Sequence, residues 1–182
     1  QISEVHVHNM KLQSDERNEK IEAELEAEHK PLGVVAVAPG SGTAKILESL
    51  GVDVVISGGQ TMNPSTADIL EAVNKVNADA VVILPNNKNI IMAAQACVEV
   101  SEKPCAVVAT TSVPQAFSAM FGFDAEASLE ENAEAMAEAF AEVKTGEVTH
   151  AIKDSKDAHG NPIKDGDVIG IADGSIEAVG RD

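Results

Sequence analysis

The 182-residue chain reads as α/β, a mostly parallel sheet with helices on both faces plus a C-terminal antiparallel hairpin. Three observations predict it. Short, continuous, β-branched runs recur without polar alternation, the pattern of strands buried on both faces. Segments with apolar residues at helical spacing separate these runs. Near the end, Asp173-Gly174 lies between two apolar runs and suits the two-residue turn that matches strand twist.

The elements follow in order. Val34–Ala38, Val52–Ser57, Ala80–Leu84 and Ala106–Ala109 are the strand-like runs. Between them Ala44–Leu50, Ala67–Val76 and Ile90–Val100 carry helical spacing. This alternation implies parallel strands joined by right-handed crossovers. Ser65 stands three residues before Asp68 and Ser128 three before Glu131, both in capping-box spacing. Leu129, Ala133, Met136, Ala137, Phe140 and Val143 form one apolar stripe. They predict a helix over Leu129–Lys144, ended at Gly146. Val148–Ile152 then reads as a strand, DAHGNP (157–162) as a turn, and Val168–Ala172 with Ser175–Val179 as the hairpin. No internal repeat is present.

The N-terminal part differs in composition. Residues 1–15 alternate polar and apolar around Val5 and Val7, as a strand and then a loop would. Residues 16–31 are rich in Glu and Lys, with only Ile21 and Leu25 as an apolar pair, and read as a solvated helical linker stopped by Pro31. Residues 32–182 form the compact α/β domain. A start at Gln1 followed at once by a strand-like stretch reads as a piece of something longer.

Thirteen Lys and Arg stand against 30 Asp and Glu, a net charge of −17. Such a surface repels nucleic-acid backbones and anionic membranes, which require clustered cations. It favours a partner with a basic face. Trp and Tyr are absent and there are four Phe, so a base-stacking platform is hard to build. No apolar run approaches the ~20 residues of a membrane helix and no basic-then-apolar leader is present. The expected location is cytoplasmic. Cys97 and Cys105, inside apolar stretches, are expected to be reduced and buried.

In open parallel sheets ligands sit outside the carboxyl ends of the strands. Here those loops are polar and rich in Gly and Asn. The candidate ligand- or partner-binding residues are Ser41, Gly42 and Thr43 after the first strand, and Gly58, Gly59, Gln60, Thr61 and Asn63 after the second. Asn86, Asn87 and Asn89 follow the third strand and Thr111 the fourth. Each has a plainer alternative: Ser41, Ser65, Asn87 and Ser112 as helix caps, Gly58-Gly59 as a backbone turn with positive φ. Convergence of four such loops on one edge is the functional signal. PGSGT (39–43) lacks both the Lys of a phosphate-binding P-loop and the GxGxxG spacing. Lys45 and Lys88 are the cations and Asp68 the acid near these loops in sequence, too few for phosphoryl transfer. No G-x-S-x-G elbow occurs. No catalytic residue is assigned. His6 and His8 share one strand face, but no third ligand with suitable spacing accompanies them, so no metal is expected.

SGGQTMNPST (57–66), LPNNKNIIMAA (84–94), TTSVPQAFSAM (110–120) and KDGDVIGIADGSI (164–176), in this order, resemble the C-terminal region of the fatty acid kinase A family, which is dihydroxyacetone kinase-like. The likeness covers about Pro31 to Gly180. It implies a bacterial parent protein that is an ATP-dependent phosphotransferase of lipid metabolism. Its Mg-ATP site would lie in an N-terminal domain, with no cofactor in this region. It also implies a partner, a separate fatty acid-binding protein of the DegV/FakB type. The family's middle domain carries a zinc-binding His-x-His element. Asn9, Met10 and Gln13 instead align residues 1–15 with that domain's last strand, which makes His6 and His8 incidental. The resulting expectation is a non-catalytic domain that docks the fatty acid-binding partner. A phosphate or acyl phosphate site, or a structural domain in a homo-oligomer, are the alternatives.

Overall fold

The computed structural model describes residues 29–58, 62–157 and 159–180. The expectations for residues 1–15 and nearly all of the charged segment, with His6 and His8, lie outside these residues, as do those for Gly59, Gln60 and Thr61. The first half runs β1 (Lys30–Ala38), α1 (Ser41–Ser49), β2 (Val54–Ser57), α2 (Thr66–Lys75), β3 (Ala78–Leu84), α3 (Lys88–Val100) and β4 (Cys105–Val107). These strands form one sheet in the order β2-β1-β3-β4, every pair parallel.

Side chains alternate across a strand, so each strand feeds two cores. Val34, Ala36 and Ala38 of β1 and Val82 and Leu84 of β3 pack with Leu47 of α1. Val35, Val37, Val81 and Ile83 pack on the opposite face with Ile69, Ala72 and Val73 of α2 and Ile90, Ala94 and Cys97 of α3. Burial on both faces explains why the sequence shows continuous apolar runs rather than alternation. It also shows that the winding reverses: α1 covers one face, α2 and α3 the other. The reversal places a topological switch between β1 and β3.

After β4 come α4 (Val113–Phe121) and α5 (Leu129–Phe140), whose Ala116, Ala119, Met120 and Met136 complete the first core. Helix α4 stands where the sequence pattern suggests only a loop around Thr110–Gln115. Its start signal is nevertheless present: the Ser112 hydroxyl accepts from the Gln115 N–H, and Pro114 occupies the first turn, where its missing N–H costs nothing. Helix α5 ends at Phe140, four residues before the expected limit. The chain is instead drawn toward the C-terminal hairpin, since the Thr145 N–H donates to Asp173 Oδ1 and the Asp173 N–H to the Thr145 carbonyl. Gly146 therefore opens a strand rather than closing a helix. Asn132, 1% exposed, fastens the preceding loop: its amide accepts from the Asp124 N–H and donates to the Asp124 and Ser128 carbonyls.

The remainder is antiparallel: β5 (Gly146–His150), β6 (Ser155–Lys156), β7 (Pro162–Ile163), β8 (Val168–Ala172) and β9 (Ser175–Gly180). They form a β5-β8-β9 sheet and a β6-β7 ribbon around a small core of Ala151, Ile163 and Ile169. The expected hairpin is present, and both turn residues have positive φ, 49° at Asp173 and 84° at Gly174.

Both expected capping boxes form. Ser65 and Ser128 each accept from the N–H three residues on, and Asp68 and Glu131 each accept in return. The Ser65 hydroxyl and N–H hold Asp68 below the usual carboxylate range. The Ser128 N–H and hydroxyl do the same for Glu131. A carboxylate whose folded value is depressed adds stability above its unfolded value and loses it as pH falls through the folded one. Acid unfolding below about pH 4 should therefore be postponed by these boxes. The double variant Ser65→Ala, Ser128→Ala should lose part of that acid-side dependence in denaturant titrations at stepped pH; an unchanged slope refutes this. Cys97 and Cys105 are free thiols, and burial pushes both up from the ordinary thiol range.

Candidate functional site

The carboxyl ends of the parallel strands share one rim, and a proline lies beyond each: Pro39, Pro64 and Pro85 in the connecting loops and Pro114 in the first turn of α4. At the switch between β1 and β3 lies a cleft of about 570 Å³. Its walls include Val37 and Pro39 beyond β1, Gly58 beyond β2, Pro85, Asn86 and Asn87 beyond β3, and Thr111 to Pro114 beyond β4. Thr145, Gly146 and Glu147 close it from the antiparallel part.

Asn86 organises this region. It is nearly buried, 9% exposed, with φ at +57°, a conformation Asn tolerates better than most residues. Its Nδ2 donates to the Val37 carbonyl at 2.8 Å, and its Oδ1 accepts from the Thr110 hydroxyl at 2.6 Å. The same hydroxyl accepts from the Asn86 N–H. One side chain thus ties β1, the β3 exit and the β4 exit together. Asn87 caps α3 by accepting from the Asn89 N–H, and Asn89 itself is exposed. Thr111 lines the cleft with its N–H and hydroxyl both donating to Gln115 Oε1.

Gly58 also lines the cleft, for reasons of space rather than φ. A β-carbon there would meet Pro64 Cδ and Val37 Cγ1, each at 2.9 Å. Ser41, Gly42 and Thr43 open α1 beside Pro39 without lining the cleft, and Asn63 is exposed beyond Gly58. Gly40 precedes α1 with φ of +70° and gives it no side-chain cap, which is why a glycine stands there.

Sequence reasoning missed the contribution of the antiparallel part. Ser112 and Thr145 join their hydroxyls at 2.8 Å, which brings β5 to the rim. A second cleft of about 370 Å³ adjoins the first and shares Thr111, Ser112, Thr145 and Glu147 with it. Lys88, Lys144, Asp173 and Gly174 line its far side. Lys144 pairs with Asp173 at 3.8 Å. Lys144, Glu147 and Asp173 thus add to the few charged groups that sequence proximity placed near these loops. The signal that could have located them is the Asp173-Gly174 turn, whose reach across the fold no local pattern encodes. Cys97 is buried as expected whereas Cys105 is only partly so, and Cys105 opens β4 at the strand end opposite this rim. No helix among the described residues is long and apolar enough to cross a membrane.

Comparison with known proteins identifies the family of this sequence. Residues 33–182 match the FakA-like C-terminal family model, FakA being a fatty acid kinase component. Over 147 residues the chain is 47% identical to Protein YloV of Bacillus subtilis (strain 168), covering 81% of this chain and 26% of that protein. Over 178 residues it is 36% identical to an uncharacterized protein of Staphylococcus aureus (strain USA300), covering 97% of this chain and 32% of that protein. The chain therefore spans about a quarter to a third of the length of these relatives. With a matched region that takes in every described strand but for the first three residues of β1, the chain belongs to the FakA-like C-terminal family of fatty acid kinase.

Proposed function

We propose that this domain docks a fatty acid-binding protein of the DegV/FakB type and presents it to a kinase active site elsewhere in the longer parent protein. On this reading the chain performs no chemical step itself, and Mg-ATP is handled by the part of the parent outside it. The observation that carries the reading is the shared rim: four strand exits and one strand of the antiparallel sheet surround a single concave surface at the topological switch. Ligands and partners of open parallel sheets engage at that position. The family supplies the fatty acid context. The charge of −17 suits a partner with a basic face, since complementary potentials steer encounter.

Titration calorimetry of this chain against such a fatty acid-binding protein is expected to give saturable one-to-one binding. Affinity should fall as salt rises through the range where the Debye length shrinks from about 10 Å to about 3 Å. Thr111→Arg, which places a cation on the rim, should weaken the complex. Absence of binding by the chain at low salt overturns the reading.

A further inference from the structure

Among the described residues, and outside the β6-β7 ribbon, the edge strands are β2 and β4 of the parallel sheet and β5 and β9 of the antiparallel one. Most of these edges are protected against pairing with another chain. β2 and β4 are only four and three residues long, and β9 loses register with β8 between Gly170 and Ile171. β5 has no such device. Its five residues pair with β8 without a shift, and none is proline or lysine.

The hydrogen bonds just beyond its two ends fix which of its backbone groups are engaged. The Asp173 N–H donates to the Thr145 carbonyl, and the Ala151 N–H to the Asp167 carbonyl. Bonded and non-bonded pairs alternate along an antiparallel ladder, so Glu147 and Thr149 also bond to β8. Gly146, Val148 and His150 turn their N–H and C=O groups the other way. All three residues are exposed, Val148 at 77%, and no described residue hydrogen-bonds to these groups. Donors and acceptors therefore stand in a row at a repeat of about 7 Å, twice the rise per residue.

Only a polypeptide in extended conformation offers groups of matching kind and spacing. At the start of the row, Gly146 lines the cleft of about 570 Å³ at the rim. A cleft of ligand-pocket size admits a short stretch of chain rather than the edge of a second folded sheet. The net charge of −17, with Glu147 between two of the free positions, favours a basic segment over an acidic one. We propose that β5 receives an extended segment of another protein as an added antiparallel strand, with an apolar residue over Val148 and a basic one opposite Glu147. The assignment goes beyond the docking reading: it names a strand, whichever protein carries it, and its test contains no fatty acid-binding protein.

The test follows the isotope-labelled 182-residue chain by NMR as the peptide acetyl-Lys-Val-Lys-Val-Lys-Val-amide is added. Saturable shifts are expected at Gly146, Val148 and His150, with amide exchange there slowed about ten-fold. Exchange at Glu147 and Thr149, already in the ladder, should change little. Glutamate in place of the three lysines should weaken binding about ten-fold. Methylating the backbone nitrogens of the valines should abolish binding, because those N–H groups face β5. Methylating those of the lysines should leave it unchanged. Val148→Pro removes one outward donor at a position where an edge strand tolerates proline. It should abolish binding without lowering the melting temperature, and the methylated peptides test the same point without altering the fold. Absence of saturable shifts overturns the proposal, as does equal binding of the glutamate peptide, of the two methylated peptides, or by Val148→Pro. Sedimentation of the chain alone is expected to give a monomer. A dimer that Val148→Pro dissociates would assign the edge to a second copy and overturn the proposal likewise.

Discussion

Asn86→Ala is expected to destabilise the chain by about 2–4 kcal/mol, the largest effect of any single change at the rim. The amide now satisfies the Val37 carbonyl and the Thr110 hydroxyl, both inside the fold. Alanine leaves the carbonyl unpaired, at about 1–3 kcal/mol for a buried polar group. The hydroxyl recovers part of its loss through the Val108 carbonyl, which it already approaches at 3.4 Å. Alanine must also hold φ near +57°, which adds about 1–2 kcal/mol. Asn86→Gly separates these contributions, because glycine keeps the conformation at little cost and loses only the hydrogen bonds. Urea unfolding should place the glycine variant about 1 kcal/mol above the alanine variant. Equal losses, or a loss below about 1 kcal/mol for alanine, would contradict the account of Asn86 as the tie between strands.

Met136→Ala is expected to cost about 2–5 kcal/mol, the usual range for emptying a fully buried site. Met136 is 0% exposed and is the fully buried apolar side chain of α5 in the first core, with Leu129, Ala133 and Phe140 packed against that core partly buried. The helix needs that packing. Glu130, Glu134 and Glu138 follow one another at spacings of four along its exposed side, and like charges so placed repel by about 0.2–0.5 kcal/mol per pair. Two consequences can be measured together by denaturant unfolding. The parent chain should gain stability between low salt and about 0.5 M salt as the repulsion is screened. The deficit of Met136→Ala should persist at both, because a cavity does not respond to salt. A deficit that vanished in salt would assign the role of Met136 to charge rather than to packing.

How much of this is legible in the sequence depends on the range of the interaction involved. The faces of β1 and β3 are readable because burial on both sides removes alternation from Val34–Ala38 and Ala80–Leu84 themselves. The capping boxes at Ser65 and Ser128 are readable because all their atoms lie within four residues. Helix α4 carries the same kind of signal at Ser112 and Pro114, obscured by the loop-like composition around it. The end of α5 is not readable, since it is set by Asp173, 28 residues from Thr145. The rim is half legible. Its loops can be placed by strand order, whereas the arrival of Thr145, Glu147 and Lys144 depends on how one sheet abuts another. Polarity marks Asn86 as a rim residue. That its amide is turned to Val37 and Thr110 is a tertiary fact.

The prolines at the exits of β1 and β3 carry a thermodynamic consequence. A ring-locked φ at Pro39 and Pro85 leaves these two turns little torsional freedom before anything binds. Whatever settles on this edge therefore freezes few backbone degrees of freedom, and a correspondingly larger share of its contact energy survives as affinity. Discrimination at such an edge comes from rejecting shapes that do not match, since the scaffold has little capacity to adapt. Engineered glycines at Pro39 and Pro85 would broaden what is accepted and weaken what is accepted best.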